Sequence, residues 1–316
     1  VYAWNDYNNN GLQELQEFEI APFPDQAKYV RVFLPNQIFL KTHQNKFSQS
    51  LTLSPSKWIN EKGIKKTLSH FYNQTALSID RKEAKNDSFN FNPFNTSDNN
   101  LLGINASFRN SLFYNRGKQK HTITYNYLNN QVKTLLSIGS QQNIINSHQL
   151  QYTHLFQKSW LFNSSATQST AKSLSDNYVA RNFKLQTLGI DTKITYLFSK
   201  NTSLSVFYKN QNKTNQNPTN ETLNQNHFGT QFNYNNQQNI TLNGEISLYS
   251  NQFTGDPTTP VAFQMLEGLQ PGQNSTWRLL LQKKITQYLD INIKYQGRKS
   301  TNSPTIHTGN VQLRAF

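Results

Sequence analysis

Apolar and polar residues alternate with a period of two along most of the chain. Residues 104–114 carry this pattern on one face, with polar side chains between the apolar ones: Ile104, Ala106, Phe108, Leu112 and Tyr114. The same alternation recurs in residues 240–248. A helix would repeat apolar residues at i, i+3 and i+4, and these segments lack that spacing. The pattern predicts about thirteen β-strands, from residues 47–53 to residues 309–316, each with one apolar and one polar face.

The segments between the predicted strands alternate between short and long. The short ones are residues 116–120, 157–159, 199–201, 235–238 and 286–287. The long, polar ones are residues 85–100, 139–147, 167–181, 210–221 and 254–275. Counted back from the C-terminus, every short one falls on the same side of the strands. Short periplasmic turns opposite long extracellular loops are typical of outer-membrane barrels, so the sequence predicts an all-β, antiparallel transmembrane β-barrel.

Thirteen is an odd number, whereas single-chain bacterial barrels usually have an even number of strands. Either residues 28–34 supply another strand, or further strands precede residue 1. The chain starts without the charged-then-apolar signal peptide that an exported protein has at synthesis. We therefore expect a processed product or a fragment of a longer protein, and favour the fragment. The expected division is a calcium-loop segment at 1–27, a linker or additional strand at 28–46 and the barrel at 47–316.

The composition agrees with strands that have one apolar and one wet face. Only 35% of the residues are hydrophobic and the mean hydropathy is −0.73, yet 13% are aromatic, with 15 Tyr and 21 Phe. A disordered chain would lack these aromatic residues, and a soluble globular domain would have more apolar ones. A secreted all-β solenoid or adhesin is the alternative. No apolar run approaches the ~20 residues of a membrane-spanning helix, and no Cys is present for disulfides or thiolate metal sites.

The formal net charge is +14, from 31 Lys and Arg against 17 Asp and Glu. A basic balance can indicate nucleic-acid binding, but most of these cations are scattered singly. Short groups lie near predicted strand ends: Lys62, Lys65 and Lys66, then Arg116, Lys118 and Lys120, then Lys283 and Lys284. Cations at a membrane boundary meet lipid phosphates. We expect outer-membrane lipid and lipopolysaccharide as partners, and no nucleic acid.

Residues 6–17 match the twelve-residue calcium loop at its oxygen-ligand positions. The matching residues are Asp6, Asn8, Asn10, Leu12, Glu14 and Glu17. Gly11 permits the sharp turn, Leu12 offers its backbone carbonyl, and Glu17 can bind with both carboxylate oxygens. Gln13 departs from the apolar residue usual in paired calcium-sensing loops, and the chain before Asp6 is too short for an entering helix. The sequence predicts a lone structural calcium loop, and the alternative is an Asn-rich turn that binds nothing.

No catalytic set is evident in the sequence. The seven His side chains are spread along the chain and form no His-x-x-x-His pair. His148 and His154 share a face if one strand carries both, but at ~3.3 Å per residue they lie roughly 20 Å apart. Ser and His are too widely scattered to nominate a nucleophile and its base, and no phosphate-binding Gly-rich loop is present. We therefore expect a protein that is not an enzyme.

Four segments resemble large, poorly characterised outer-membrane or surface proteins of the Bacteroidota. They are residues 6–26 (DYNNNGLQELQEFEIAPFPDQ), 108–116 (FRNSLFYNR), 265–277 (MLEGLQPGQNSTW) and 297–316 (GRKSTNSPTIHTGNVQLRAF). The resemblance covers most of the chain and is to C-terminal regions that end in a barrel. It implies an outer-membrane location and association with the secretion, gliding or nutrient-uptake machines of that phylum. It assigns no functional residue.

The expected function is that of a non-enzymatic structural or assembly barrel, with protein partners in a larger surface, secretion or gliding-type complex. The alternative is the C-terminal barrel of a TonB-dependent nutrient transporter or of another outer-membrane transporter. A third hypothesis is a surface-binding module whose loops capture glycans or proteins. Upstream sequence separates them, because transport requires a plug with a TonB box and assembly predicts a long run of periplasmic or surface domains.

Overall fold

The computed structural model describes residues 1–32, 40–85, 92, 101–117, 120–136, 139–217, 219–236, 239–301 and 303–315. Two short strands lie near the N-terminus, β1 (Tyr2–Trp4) and β2 (Phe18–Ile20). The long strands are β3 (Thr42–Leu53), β4 (Phe71–Ala84), β5 (Leu101–Tyr114), β6 (His121–Leu136), β7 (Gly139–Phe156), β8 (Trp160–Ser175), β9 (Phe183–Leu197), β10 (Thr202–Asn215), β11 (Thr222–Asn236), β12 (Ile240–Thr254), β13 (Gly272–Thr286), β14 (Leu289–Ser300) and β15 (Ile306–Ala315). Two short helices lie in connections, α1 (Ile64–Leu68) and α2 (Pro260–Leu266). Within the described ranges no helix is long and apolar enough to cross a membrane.

The long strands form one thirteen-stranded sheet in which each strand pairs antiparallel with its neighbours in sequence. The predicted fold class, an antiparallel outer-membrane β-barrel with about thirteen strands, is confirmed. The first long strand begins at Thr42, before the alternation becomes clear at residue 47. The possible extra strand at residues 28–34 lies partly outside the described residues, as does Phe316. Within them, Tyr29 forms an isolated antiparallel bridge with Tyr2.

Strands β3 and β15 are the two edges of this sheet. Because successive strands reverse direction, the first and the thirteenth strands run the same way. Direct pairing of β3 with β15 would therefore be parallel, whereas an odd number of additional strands between them would keep every pair antiparallel. Thirteen strands therefore close into a barrel either through one parallel pair or through additional strands.

Connections at the two ends of the sheet differ in length. At one end, here called the short-turn end, lie the connections β5–β6, β7–β8, β9–β10, β11–β12 and β13–β14. At the other, here called the long-loop end, lie the connections β4–β5, β8–β9, β10–β11, β12–β13 and β14–β15. This arrangement follows the predicted alternation, although residues 167–175 and 210–215, predicted to be loop, belong to β8 and β10. Two connections depart from the alternation itself.

One exception is the connection over residues 54–70, which contains α1 and lies at the short-turn end although it is long. The other is the loop predicted over residues 139–147, which is wrong because β7 begins at Gly139. These residues continue the pairing of β7 with β6 and β8. Apart from Ile144 and Ile145, these residues are polar or Gly on both faces, as expected where a strand extends towards the edge of the hydrocarbon layer. The sequence pattern therefore resembles a loop there although the backbone pairing persists.

The two faces of the sheet have opposite polarity. Cross-strand partners lie on the same face, and exposed apolar side chains line one face, here called the outer face: Leu188, Ile190, Ile194, Val206, Phe228, Ile246 and Leu248. On the opposite, inner face the buried side chains of the same strands include Thr195, Ser205, Gln225 and Ser247. A water-soluble sheet buries its apolar face. This sheet exposes it, as the wall of a barrel surrounded by lipid does.

Aromatic rings gather on the outer face near the short-turn end. The ring centroids of Trp160 and Tyr196 lie 4.7 Å apart, as do those of Tyr196 and Phe198. On the neighbouring strand, the rings of His154 and Phe156 are 3.8 Å apart. Amphipathic rings at the level of the lipid headgroups are typical of membrane proteins. The short-turn end therefore lies at one boundary of the bilayer.

Candidate functional site

The connection between β12 and β13 folds onto the inner face at the long-loop end and places α2 there. The Thr259 hydroxyl accepts a hydrogen bond from the Ala262 amide and caps the N-terminus of α2, and Pro260 occupies the first turn. The apolar side of α2 packs against the inner face of β9 and β11 in a small core: Val261, Met265 and Leu266 with Leu185 and Leu223. This core fixes α2 on the inner wall.

Lys213, on the inner face of β10, holds the C-terminal end of α2. Its ammonium group donates to the carbonyl of Met265 at 3.0 Å and pairs with the Glu267 carboxylate at 2.6 Å. A cation is favourable there because the last carbonyls of a helix carry partial negative charge. Lys213 is buried, so its contact with the Met265 carbonyl is shielded from solvent, whereas Glu267 is 61% exposed.

A polar cluster supports the neighbouring loop between β10 and β11. Buried Glu221 accepts hydrogen bonds from the Asn215 amide and the Thr219 hydroxyl, both at 2.7 Å. Burial by itself would raise the pKa of Glu221, but these hydrogen bonds stabilise the carboxylate and bring its pKa below the ordinary value. The loop is therefore held by an ionised carboxylate at neutral pH.

The first 32 residues, here called the N-terminal segment, dock against these loops. Glu19 of β2 is 1% exposed and pairs with Arg181 of the β8–β9 connection at 2.6 Å. The same carboxylate accepts hydrogen bonds from Gln264 of α2 at 3.2 Å and from the Tyr7 hydroxyl at 3.3 Å. Burial raises the pKa of Glu19 above its ordinary value, although Arg181 and the other donors oppose the rise. Arg181 also donates to the carbonyl of Phe18 at 3.2 Å.

The other end of the N-terminal segment reaches β14. Asp25 pairs with Arg298 at 2.6 Å, and the Arg298 guanidinium lies 4.1 Å from the centroid of the Phe23 ring. Gly268, just after α2, lies against Pro22, and a side chain at this glycine would overlap that ring. The N-terminal segment thus crosses the inner face at the long-loop end, from the β8–β9 connection to β14.

A cavity of about 600 Å³ remains between the N-terminal segment and the inner wall. It is lined on the segment side by Tyr2, Phe18 and Tyr29 and on the wall side by Gln141, Ser173 and Phe183. We call the combination of this cavity, α2 and the docked N-terminal segment the mouth. The sequence did not reveal the mouth, because the contacts that dock the N-terminal segment join residues more than a hundred positions apart.

The predicted calcium loop is the connection between β1 and β2. β1 pairs with β2 from Tyr2↔Ile20 to Trp4↔Phe18, and the amide of Asn5 donates to the carbonyl of Glu17 at 2.9 Å. No helix precedes this loop in the structure. Asp25, which lies outside the twelve-residue spacing, instead pairs with Arg298.

Inside the loop, the predicted ligand side chains bind backbone amides and one another. Asp6 accepts hydrogen bonds from the amides of Asn10 and Gly11 at 3.2 and 2.8 Å, and Gly11 has the positive φ of 71° that its position requires. Glu14 accepts from the Asn8 side chain at 2.6 Å. Across the described ranges, no three His, Asp or Glu side chains gather into a metal centre. Calcium at Asp6, Asn8, Asn10, Leu12, Glu14 and Glu17 therefore stays a prediction.

The structure brings some of the scattered histidines together. The rings of His121 and His154, on paired strands β6 and β7, stack with centroids 6.4 Å apart. His148 lies on the same outer face, and its Nδ1 is 2.8 Å from the Tyr125 hydroxyl. His227, on the inner face, stacks on Tyr249 at 4.0 Å. Among the described residues, the hydrogen bonds and ring contacts of these histidines are with Tyr, Asn and aromatic partners.

Comparisons with known proteins give similarity in fold. No family model and no curated protein matches the chain. Among solved structures, the FrpB iron transporter from Neisseria meningitidis is 12% identical with a TM-score of 0.49, and the match covers 86% of this chain and 57% of that one. A loop L8 deletion mutant of OmpT, an outer-membrane protein of Vibrio cholerae, is 8% identical with a TM-score of 0.38, covering 88% and 98%. The translocator domain of the autotransporter NalP from Neisseria meningitidis is 8% identical with a TM-score of 0.30, covering 90% of each.

The firm expectation from the sequence that the protein is not an enzyme is wrong, because the main ground for it does not hold in this fold. The exclusion rested on how far apart Ser and His lie in the sequence. Strand pairing removes that ground, because it brings His121 next to His154 although 33 positions separate them. The spacing of residues along the chain is thus no measure of their distance in this fold.

The chain spans 57% of the length of FrpB. The fold and the polarity of its two faces establish the class of protein and its cellular location. A thirteen-stranded antiparallel sheet has an apolar outer face, a polar inner face and aromatic rings at the short-turn end. The chain is an outer-membrane β-barrel protein, located in the bacterial outer membrane.

Proposed function

We propose that the chain forms the wall and closed mouth of an outer-membrane barrel that serves as a structural or assembly component of a larger surface, secretion or gliding-type complex. The resemblance to large surface proteins of the Bacteroidota supports this role. So do β3 and β15, the two edges of the thirteen-stranded sheet, because the edge of a sheet can pair with further strands. Lipid and lipopolysaccharide surround the outer face, and protein partners meet the edges or the loops.

One observation carries the proposal, namely that the N-terminal segment is pinned across the mouth at both ends. Glu19 pairs with Arg181 at one end and Asp25 with Arg298 at the other. Both ion pairs are largely buried and have additional partners, a hydrogen-bonding Gln264 in one case and the Phe23 ring in the other. A pore that conducts freely would leave this end of its lumen open.

Conductance in planar lipid bilayers tests the closed mouth. The refolded wild-type chain should show no large, steady pore, whereas Arg181→Ala combined with Arg298→Ala should release the segment and produce frequent open events. Lys46→Ala is a matched control, because it removes a cation that pairs with Asp80 on β4, and conductance should stay at the wild-type level. A large, constant conductance of the wild-type chain contradicts the proposal.

A gated transporter is the second candidate, and the cavity of about 600 Å³ beside the N-terminal segment favours it. A segment held by polar contacts can be released more easily than one held by an apolar core, and the cavity leaves room for a solute. The absence of native Cys allows a clean test with the pair Glu19→Cys and Gln264→Cys. Locking the segment by this disulfide should abolish solute uptake by a transporter and leave an assembly component functional.

A further inference from the structure

The loop between β1 and β2 has its two ends held together by strand pairing. Trp4 pairs with Phe18, and the Asn5 amide donates to the Glu17 carbonyl at 2.9 Å. A twelve-residue cation loop requires that its first and last ligands converge on one ion. In an EF-hand, two helices flank the loop, whereas here an antiparallel strand pair does so. Residues 6 and 17 are therefore brought to the same end of this pair.

Backbone hydrogen bonds fold the interior of the loop and leave its oxygens able to accept further interactions. The Asn8 and Asn10 side-chain oxygens accept from the amides of Asn10 and Leu12 at 3.0 and 2.7 Å, and Asp6 accepts from the Gly11 amide at 2.8 Å. A carboxylate or amide oxygen has two lone pairs, and each of these bonds uses one. The remaining lone pairs can bind a cation.

Glu17 provides an independent indication of a ligand. Its side chain is buried, with 1% exposed. One carboxylate oxygen accepts from the Trp4 indole at 2.7 Å and from the Glu14 amide at 3.4 Å. The other oxygen, Oε1, is buried without any hydrogen-bond partner. Leaving a buried carboxylate oxygen unpaired costs free energy, so an interaction partner is expected at this position.

We propose that residues 6–17 bind one calcium ion. The ligands are the Asp6, Asn8 and Asn10 side chains, the Leu12 carbonyl and both carboxylate oxygens of Glu17, and Glu14 occupies the position that often acts through water. This set mixes carboxylate, amide and carbonyl oxygens, which suits calcium. Across the described ranges no three His, Asp or Glu side chains gather into one centre, so the carboxylates of Asp6, Glu14 and Glu17 have to close on the ion when it binds. The ion neutralises Glu17 and stiffens the β1–β2 pair that presents Glu19 to Arg181.

Terbium luminescence tests this site in the full chain refolded in detergent micelles. Trp4 touches Glu17, so excitation of the indole should sensitise bound terbium, and calcium should displace the terbium with one-site stoichiometry. Glu17→Gln and Asp6→Ala should each weaken calcium competition by about tenfold or more, because affinity depends on the charge of the ligand set. Glu61→Gln removes the same charge in the connection between β3 and β4. In this variant calcium should displace terbium as it does in the wild type.

Glu17→Gln keeps an oxygen that can accept the Trp4 hydrogen bond, so its loss of binding is distinguishable from unfolding, which circular dichroism monitors. The proposal is overturned if terbium luminescence persists in excess calcium. It is also overturned if calcium competes equally well in Glu17→Gln, Asp6→Ala and Glu61→Gln. Calcium should also slow protease cleavage within residues 6–17 relative to chelator. The calcium site does not depend on the proposed function. Terbium luminescence tests the site and conductance tests the closed mouth, and either result can fail without the other.

Discussion

The carboxylate of Glu19 and the guanidinium of Arg181 form an ion pair of 2.6 Å although 162 residues separate them in the chain. Their contact makes the N-terminal segment part of the tertiary structure of the mouth. It also places a carboxylate that is almost fully buried beside a cation that is 29% exposed. Removing one partner or the other should therefore weaken docking of the N-terminal segment to different extents, because the more deeply buried charge depends more on its partner.

Arg181→Ala should weaken docking of the N-terminal segment by about 1–3 kcal/mol, since it leaves the buried Glu19 carboxylate without its cation. Glu19→Gln should cost less, because a neutral amide still accepts from Arg181 and needs no counter-charge. Hydrogen exchange of the β1 and β2 amides measures docking directly. Equal exchange in both variants and the wild type would show that the ion pair does not hold the segment.

Gly268→Ala should displace the N-terminal segment. Gly268 has a φ of 74°, and an added Cβ would overlap Pro22 Cγ and lie 3.3 Å from the Phe23 ring. Gly117→Ala is the matched control, because Gly117 has a similar φ of 72° with nothing near its Cβ position. Both changes carry the ~1 kcal/mol strain of a left-handed alanine. Only Gly268→Ala should accelerate proteolysis of residues 1–32, and similar acceleration in both variants would exclude a specific contact.

Glu221→Gln should make the mouth less stable at neutral pH and nearly indifferent to acid. The pKa of Glu221 lies below its ordinary value of 4.5 because Asn215 and Thr219 donate hydrogen bonds that outweigh burial. A depressed pKa in the folded state contributes stability that is present above the unfolded pKa and is lost as the pH falls through the folded one. Near neutral pH, thermal unfolding should therefore give a free energy of unfolding about 1–2 kcal/mol lower for the variant than for the wild type. The two curves should converge in acid, and a constant gap would contradict this assignment.

The sequence predicted the strand content well because each strand has an apolar outer face that lipid requires. The alternation of Ile240, Leu242, Ile246 and Leu248 reappears as the outer face of β12. Residues 139–147 were not recognised as strand because seven of the nine are polar or Gly, although backbone pairing with β6 and β8 continues through them. Hydrophobic periodicity reflects the environment of the side chains, and it gives no strand signal where both faces contact water.

The mouth could not be predicted for a different reason. Arg181 and Arg298 lie in polar segments with no local signal, and their importance arises only when the N-terminal segment brings Glu19 and Asp25 to them. The calcium loop, by contrast, is a local motif whose spacing is readable from residues 6–17 alone. Long-range ion pairs of this kind require the strand order and register before their partners can be identified.

Lipid contact at the outer face predicts a response to charge that differs from that of any soluble sheet. Ile246 is 59% exposed on β12, and in a water-soluble protein Ile246→Arg would change stability by no more than about 0.5 kcal/mol. In a bilayer the same change should cost about 2–4 kcal/mol if Ile246 lies near the midplane, because the guanidinium would enter hydrocarbon. Asn243→Arg is the control, since Asn243 lies on the polar inner face of the same strand and pairs with Asn233. Unfolding titrations in lipid vesicles should therefore show a large loss for Ile246→Arg and a small one for Asn243→Arg, and the reverse order would place the inner face towards the lipid.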